Sequence, residues 1–313
     1  MSVVVVGAGI AGLACARALT EAGVAVRVLE RGKVCGGRLA TKRYNDRRTD
    51  IGAAYFTAQD EAFTSLVTTW QTQGLVREWT DTLTVLDPDG THRTTGPMRW
   101  AAPNGLRSLA ENLAEGLDIT TDHAVEWIEP GPRVDGVNAT AVVLAMPGPQ
   151  ALRILHPSLT NARTAVEAQH WLPTLAVTLT YPTRTWPDFN GAFVNDHPIL
   201  QTVFDDGARR GDNAPVLVAH TTPTFTEHYV ADPSVAAHEV EAAVRQVLDL
   251  TDKTTSTHVH RWTYASPTKP GTTPFHLDDQ HIGIAGDAWG YPRTETAWLS
   301  GTALGNALAT QLA

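Results

Sequence analysis

Gly7, Gly9 and Gly12 follow the β-branched run Val3–Val6 in a GxGxxG spacing and precede a helical pattern through Leu13, Ala16 and Leu19. The spacing suits phosphate chemistry. Gly7 permits a tight turn, Gly9 lets backbone approach a pyrophosphate, and Gly12 lets helix and strand pack closely. Ile10 and Ala11 stand where a helix N-terminus offers unpaired N–H groups and a positive dipole end. A second strand pattern, VAVRVLE, ends at Glu30, where a carboxylate can accept hydrogen bonds from a ribose. A strand, a glycine turn, a helix, a second strand and a terminal acid, in that order, point to a bound dinucleotide.

The stretch ERGKVCGGRLAT, residues 30–41, separates the dinucleotides. After its second strand an NAD domain usually continues into a crossover helix. Here Gly36 and Gly37 permit a bend close to a ligand, and the Arg38 guanidinium can pair with a pyrophosphate oxygen or stand solvated in a loop. Near the other end, the short apolar strand 282–285 runs into Gly286 and Asp287, and a long helical pattern begins near Thr294 or Glu295. Asp287 can bond a ribityl chain, and the helix N-terminus can face the pyrimidine edge of a flavin. Ala297, Gly301 and Gly305, four apart, permit close packing against cofactor or sheet. This combination favours FAD over NAD.

The elements that must hold these residues follow from pattern and length. At 313 residues the chain can bury a large core and form two interleaved domains. The expected fold is α/β: a Rossmann-like FAD-binding domain from residues 1–53, 100–149 and 278–313, interleaved with an α+β substrate domain from 54–99 and 150–277. In the latter, LAVTLTY (175–181) and VLVAHTT (216–222) read as strands of a mixed sheet, and 233–250 as an amphipathic helix. Pro and Gly clusters near 87–97, 130–136 and 182–191 read as loops.

A net charge of −9 argues against nucleic acid or an anionic membrane as the main partner. The two cysteines, Cys15 and Cys35, make no disulfide framework and fit a reducing interior. The N-terminal apolar run lacks the basic flank of a signal peptide and meets Arg17 too early to span a bilayer. A cytoplasmic protein is expected.

Further segments run in order along the whole chain: DIGAAYFT (50–57), APNGLRSLAENLA (102–114), LAMPGPQALRIL (144–155), GAFVND (191–196), VLVAHTTPTF (216–225), HRWTYASP (260–267) and ETAWLSG (295–301). With the GxGxxG turn, the RxxxxGGR segment and the GD before the last helix, the chain resembles the FAD-dependent amine-oxidase and glutathione-reductase-like superfamily, of the amine-oxidase type. Within it the chain looks like renalase and its bacterial relatives. The resemblance implies non-covalent FAD, with Gly7, Gly9, Ile10, Ala11 and Gly12 at the phosphates and Glu30 and Arg31 at the adenosine end. It places Gly37 and Arg38 at the second pyrophosphate contact, and Ala54 and Tyr55 near the flavin. The backbone of Val125, in the strand-like HAVEWIE, falls at the adenine. Gly286, Asp287, Glu295, Ala297 and Trp298 fall at the ribityl and ring end.

Such proteins oxidise misreduced 2- or 6-dihydro-NAD(P) to NAD(P)+, and dioxygen reoxidises the flavin to give hydrogen peroxide. Rearomatisation drives that hydride transfer, so no strong base is required; catalysis is positioning and exclusion of water. Two departures concern the substrate: Ala54 stands where relatives often carry glutamine, and DDGARRGD (205–212) replaces a Lys-Pro-Gly-Arg turn. Arg209 and Arg210 could meet substrate phosphates at a pocket entrance or be solvated. Trp262, Trp289 and Trp298 could sandwich a planar ring or pack in a core. Tyr55 and His220 could meet substrate, or His220 could be a satisfied core histidine. His258 and His260 alternate on a strand without the partners of a metal site, and HLDDQH (276–281) reads as a surface turn. The rival readings are an amine oxidase on the same fold, a flavin-bound sensor, and an NAD-dependent dehydrogenase.

Overall fold

The computed structural model describes residues 1–44, 46–186 and 188–313. Its packing divides the chain into two compact units: Met1–Leu39, Arg107–Trp171 and Ser266–Ala313 form one, Ala40–Leu106 and Leu172–Ala265 the other. The borders thus lie away from those expected near 53, 100, 149 and 278. One reason is local, because Thr41–Tyr44 and Arg47–Asp50 pair as an antiparallel hairpin. That hairpin sets Asp50 against the Thr41 hydroxyl (2.5 Å) and Leu106 N–H (3.0 Å), all within the second unit.

In the first unit a six-stranded sheet runs, edge to edge, through His276–Leu277, Ile282–Ile284, Val142–Leu144, Val3–Val6, Val26–Leu29 and Ile119–Thr120. Neighbours are parallel except at the 276–277 edge. The first helix, Ile10–Glu21, packs on the C-terminal helix, Thr294–Leu312, and on Arg107–Ala114. A further core joins Val6, Val142, Leu144 and Ile282 to Leu155, Ala162 and Val166. Cover on both faces explains why Val3–Val6 is an unbroken apolar run. Strand order reverses at Val3–Val6, and the crevice at the carboxyl ends of such strands is where open α/β sheets bind ligands.

HAVEWIE does not form a strand. Only Ile128–Glu129 joins a small sheet, with Arg133–Val134 and Val137–Asn138. The N–H groups of Glu126 and Trp127 are both taken by the Asp135 carboxylate (3.0 and 2.8 Å), an acceptor that replaces a ladder.

The second unit carries a seven-stranded mixed sheet, in the order Ser256–Pro267, Trp171–Thr180, Val216–Thr221, Leu200–Asp205, Gly191–Val194, Arg77–Asp87 and Gly90–Ala101. Gly191–Val194 and Arg77–Asp87 pair in parallel. The expected loop at 87–97 is mostly strand, since Asp87 pairs with Gly90 around a two-residue turn. A short strand also enters 130–136; within 182–191, Pro187 lies outside the described residues. The 233–250 segment opens as a 3-10 turn, Pro233–Ala236, and continues as helix Ala237–Val247, which buries Val240, Ala243 and Val244 in the core with Leu175 and Val177. No helix among the described residues is long and apolar enough to cross a membrane.

Two of the small residues of the C-terminal helix, Gly301 and Gly305, serve its packing against the first helix. A Cβ on Gly301 would overlap the Ala11 carbonyl oxygen, and one on Gly305 would stand 2.7 Å from Ala18 Cβ. Gly301→Ala should therefore cost about 1–3 kcal/mol, seen as a lower urea midpoint at unchanged slope. Asn306→Ala, on the exposed face, should change stability by less than about 0.5 kcal/mol.

Candidate active site

The glycine turn of the first unit separates three tasks. Gly7 has φ +106°, and a Cβ there would lie 2.7 Å from the Ala145 carbonyl oxygen. At Gly12 a Cβ would overlap the Gly7 carbonyl oxygen. At Gly9 it would meet nothing within 4 Å. Gly9 is also the N-cap of the first helix, and it makes no side-chain cap bond. The helix therefore opens, through Ile10 and Ala11, onto space that any side chain at Gly9 would fill. This fits a pyrophosphate, which needs close backbone approach and N–H donors.

Glu30 stands beside that turn, just past Val26–Leu29. Its carboxylate accepts from Ala8 N–H (2.7 Å) and Gly32 N–H (2.6 Å), so it is fixed while keeping lone pairs for a hydroxyl. His123 N–H donates to the Glu30 carbonyl (2.9 Å), which brings the chain leading to buried Val125 alongside. The second glycine pair closes against the first: Gly36 N–H bonds Ala8 O (2.9 Å), and a Cβ on Gly37 would lie 3.2 Å from Gly9 Cα. Arg31 is exposed.

Arg38 is engaged with Asp287. Nη1 donates to Oδ2 at 2.7 Å, Nη2 bonds Oδ1, and the guanidinium lies 5.0 Å from the Trp171 ring centroid. The two residues expected at pyrophosphate and ribityl thus meet each other at one place in the first unit. A Cβ on Gly286 would meet open space, and Gly286 N–H bonds Ser300 Oγ (3.0 Å), tying this strand end to the last helix. Glu295 is buried in that helix's first turn, where the dipole favours an acid, with Ala297 buried and Trp298 half-buried after it. Trp289 stacks on His276, with centroids 6.3 Å apart. Asp278, expected at a surface turn, is buried and accepts from Gln280 and Ile282 N–H (both 3.0 Å). Burial raises its pKa, but His276 and these N–H groups hold the carboxyl below its ordinary range.

The other predicted residues belong to the second unit. Arg209 and Arg210 are not solvated. They are buried in the short helix Asp206–Arg210. Arg209 bonds Asp206 and the Ala54 carbonyl; Arg210 bonds Asp206 (3.1 Å) and pairs with Asp50 (3.2 Å). Arg47 adds a third cation, pairing with Asp206 and with Asp212 (2.9 Å). Burial opposes ionisation of Asp206, yet these three arginines hold its carboxyl below the ordinary range. At Asp50 burial prevails, with repulsion from Asp206, and the pKa is raised. The i,i+3 and i,i+4 spacing of Asp206 to Arg209 and Arg210 was a legible sign of this cluster; the distant partners Asp50 and Arg47 left none.

His220 is half-buried with both ring nitrogens engaged. Its Nε2 donates to Gly52 O (3.1 Å), and its Nδ1 lies 3.1 Å from Thr202 Oγ1. Burial and then the Arg209 charge lower its pKa to about 4, so the ring is neutral. Trp262 Nε1 donates to Ile51 O (2.6 Å). Three side chains thereby hold carbonyls of Ile51, Gly52 and Ala54. Tyr55 is half-buried against Trp79 (6.1 Å) and Phe204 (5.7 Å). His258 stacks on Tyr44 (4.0 Å), and His260 Nδ1 lies 3.3 Å from Lys42 Nζ. Among the described residues no group of three or more His, Cys, Asp or Glu could hold a metal ion.

A family model described as flavin containing amine oxidoreductase matches residues 73–303, and one described as NAD(P)-binding Rossmann-like domain matches residues 5–70. The putrescine oxidase of Kocuria rosea is 33% identical over 134 residues, which span 42% of this chain and 28% of that protein's length. Among solved structures, cyclohexylamine oxidase from Brevibacterium oxydans IH-35A superposes with a TM-score of 0.76 at 14% identity, covering 100% of this chain and 99% of that one. A putrescine oxidase redesigned at its cofactor site gives 0.77 at 16% identity, covering 100% and 99%. At such identities the structures speak for the fold.

Two outcomes follow from this geometry. Gly9→Val, with extended backbone and no neighbour to strike, should keep stability within about 1 kcal/mol. It should weaken FAD affinity at least about tenfold, read by titrating the apoprotein with FAD. His220, with its pKa lowered to about 4, takes up its proton more readily unfolded than folded. Its contribution is present above about pH 6.5 and is lost as pH falls toward 4. Urea unfolding across that window should show a steeper decline for wild type than for His220→Asn.

Proposed function

This chain belongs to the family of flavin containing amine oxidoreductases, with FAD as its cofactor, and on that premise we propose that it oxidises misreduced dihydronicotinamide dinucleotides, the 2- or 6-dihydro forms of NAD(P). The observation that carries the oxidoreductase half is the open turn at Gly9, beside a fixed Glu30 carboxylate. The ordered run of renalase-like segments from residue 50 to 301 supports the substrate half.

Bound FAD supplies a two-electron acceptor that dioxygen can reoxidise. In the overall reaction the dihydropyridine gives up a hydride and regains aromaticity. Dioxygen takes those two electrons with the hydride's proton and one from solvent, and leaves as hydrogen peroxide. Gly7, Gly9, Ile10, Ala11 and Gly12 would hold the pyrophosphate, Glu30 and Arg31 the adenosine end, and Val125 the adenine. Gly37, Arg38, Gly286 and Asp287 would hold the middle of the cofactor non-covalently, and Glu295, Ala297 and Trp298 would lie toward its ring. The resemblance adds Ala54, Tyr55, Trp262 and Trp289 as candidates. A neutral His220 with both nitrogens engaged suits a reaction that removes no proton with a base.

A second reading, oxidation of a small amine, is favoured by the 33% identity to a putrescine oxidase. Anaerobic mixing separates the two. The yellow protein is mixed with NADH, with a borohydride-made mixture of dihydro-NAD isomers, and with an aryl-alkyl amine. We expect the isomer mixture alone to bleach the flavin within seconds and air to restore it with hydrogen peroxide formed. Bleaching by the amine with no response to the isomers would overturn the nucleotide reading.

A further inference from the structure

Arg99 is a buried cation without a counter-ion among the described residues. Only 6% of it is exposed, and its one hydrogen bond among the described residues runs from Nη1 to the main-chain carbonyl of Asp81 (2.7 Å). The Asp81 carboxylate turns instead to the Thr82 hydroxyl (2.7 Å). Arg99 Nε is buried with no acceptor, and no Asp or Glu lies within ion-pair distance among the described residues. Buried charges in folded proteins are paired almost without exception, because leaving one alone costs several kcal/mol. Arg209 and Arg210 in the same unit obey that rule.

The surroundings of Arg99 suit an acceptor. Its guanidinium lies 5.4 Å from the centroid of the half-buried Tyr55 ring. Trp79 adjoins Tyr55, and its Nε1 is a second buried donor with no acceptor. The strand ladder breaks here: Thr80 pairs with Arg99 but Thr82 pairs with Thr95, so Gly96, Pro97 and Met98 bulge out. Bulges of this kind re-aim side chains beside functional sites. A Cβ on Gly96 would stand 3.5 Å from Arg99 Nη2, so its absence leaves room at that nitrogen.

We propose that Arg99 and Trp79, which both adjoin the Tyr55 ring, form a subsite for a phosphate group of the nucleotide substrate. The proposal rests on the reading of this chain as a dinucleotide oxidase, which it deepens: an unpaired guanidinium welcomes a phosphate and repels an alkylammonium. Planar donor pairs suit phosphoryl oxygens.

The test uses flavin-loaded protein, so that the cofactor's own phosphate site is filled. Inorganic pyrophosphate, NAD+ and benzylamine are titrated by calorimetry against wild type, Arg99→Gln, Arg99→Met, Arg99→Lys and Trp79→Phe. Pyrophosphate and NAD+ should bind wild type and compete. The two neutral Arg99 variants should lose about tenfold or more in affinity for both, Arg99→Lys and Trp79→Phe less, and benzylamine should not gain from either phosphate. Arg99→Met should also melt at or above the wild-type temperature, since it removes an uncompensated buried charge. Equal affinities in wild type and Arg99→Gln would overturn the subsite. Should both neutral variants lose their flavin, unchanged affinity in Arg99→Lys and Trp79→Phe would overturn it equally. Bleaching by the dihydro-NAD isomers at an unchanged KM in Arg99→Gln removes the subsite and leaves the reaction. Arg99-dependent pyrophosphate binding without that bleaching removes the reaction and leaves the subsite.

Discussion

Where Gly301 meets the carbonyl of Ala11, the last helix of the chain touches the first with no side chain between them. Residues almost three hundred positions apart are held at main-chain distance, and Gly12 repeats the device against Gly7 one layer down. The phosphate turn keeps its shape because the helix it opens is held from both sides in this way. Gly9, between them, is the position left open. Two glycines of the motif are thus committed to packing and one faces open space, although all three look alike as letters.

The second unit is organised by charge that has left water. Asp206 accepts three arginines from two elements, and Asp50 takes Arg210 together with the Leu106 N–H and the Thr41 hydroxyl. Such a cluster adds less stability than its number of contacts implies, because each ion was first desolvated. Its effect is registry: it joins the 41–50 hairpin to the helix 206–210, and Arg209 reaches on to the Ala54 carbonyl. His220 and Trp262 hold the neighbouring carbonyls of Gly52 and Ile51. Arg99, buried and with no acidic partner among the described residues, contrasts with that cluster, and the same electrostatics underlie the anion subsite proposed for it.

Much of the first unit was legible in local pattern. The β-branched run, the glycine spacing, the terminal Glu30 and the Gly286-Asp287 pair before a helix all report on neighbours close in sequence, and each lies where its pattern put it. HAVEWIE failed because a carboxylate nine residues away captured two N–H groups that a strand would have needed. The stretch 87–97 failed for the opposite reason: proline and glycine in a hairpin with a bulge resemble a loop when strand pairing is invisible. Asp278 looked solvated because its partners are main-chain N–H groups, which every sequence contains.

The sequence by itself determined the cofactor class and the doubly covered parallel sheet, because turn glycines, helix starts and buried strands are dictated by neighbours within a few residues. Only the tertiary structure decided what the charged residues do. Arg209 and Arg210 read as contacts for substrate phosphates or as solvated cations until Asp50 and Asp206 appeared beside them, and His220 read as a substrate contact or a core histidine until Gly52 and Thr202 took its two nitrogens. A charge's role depends on what faces it and on how far water is excluded, and both are set by residues far away along the chain.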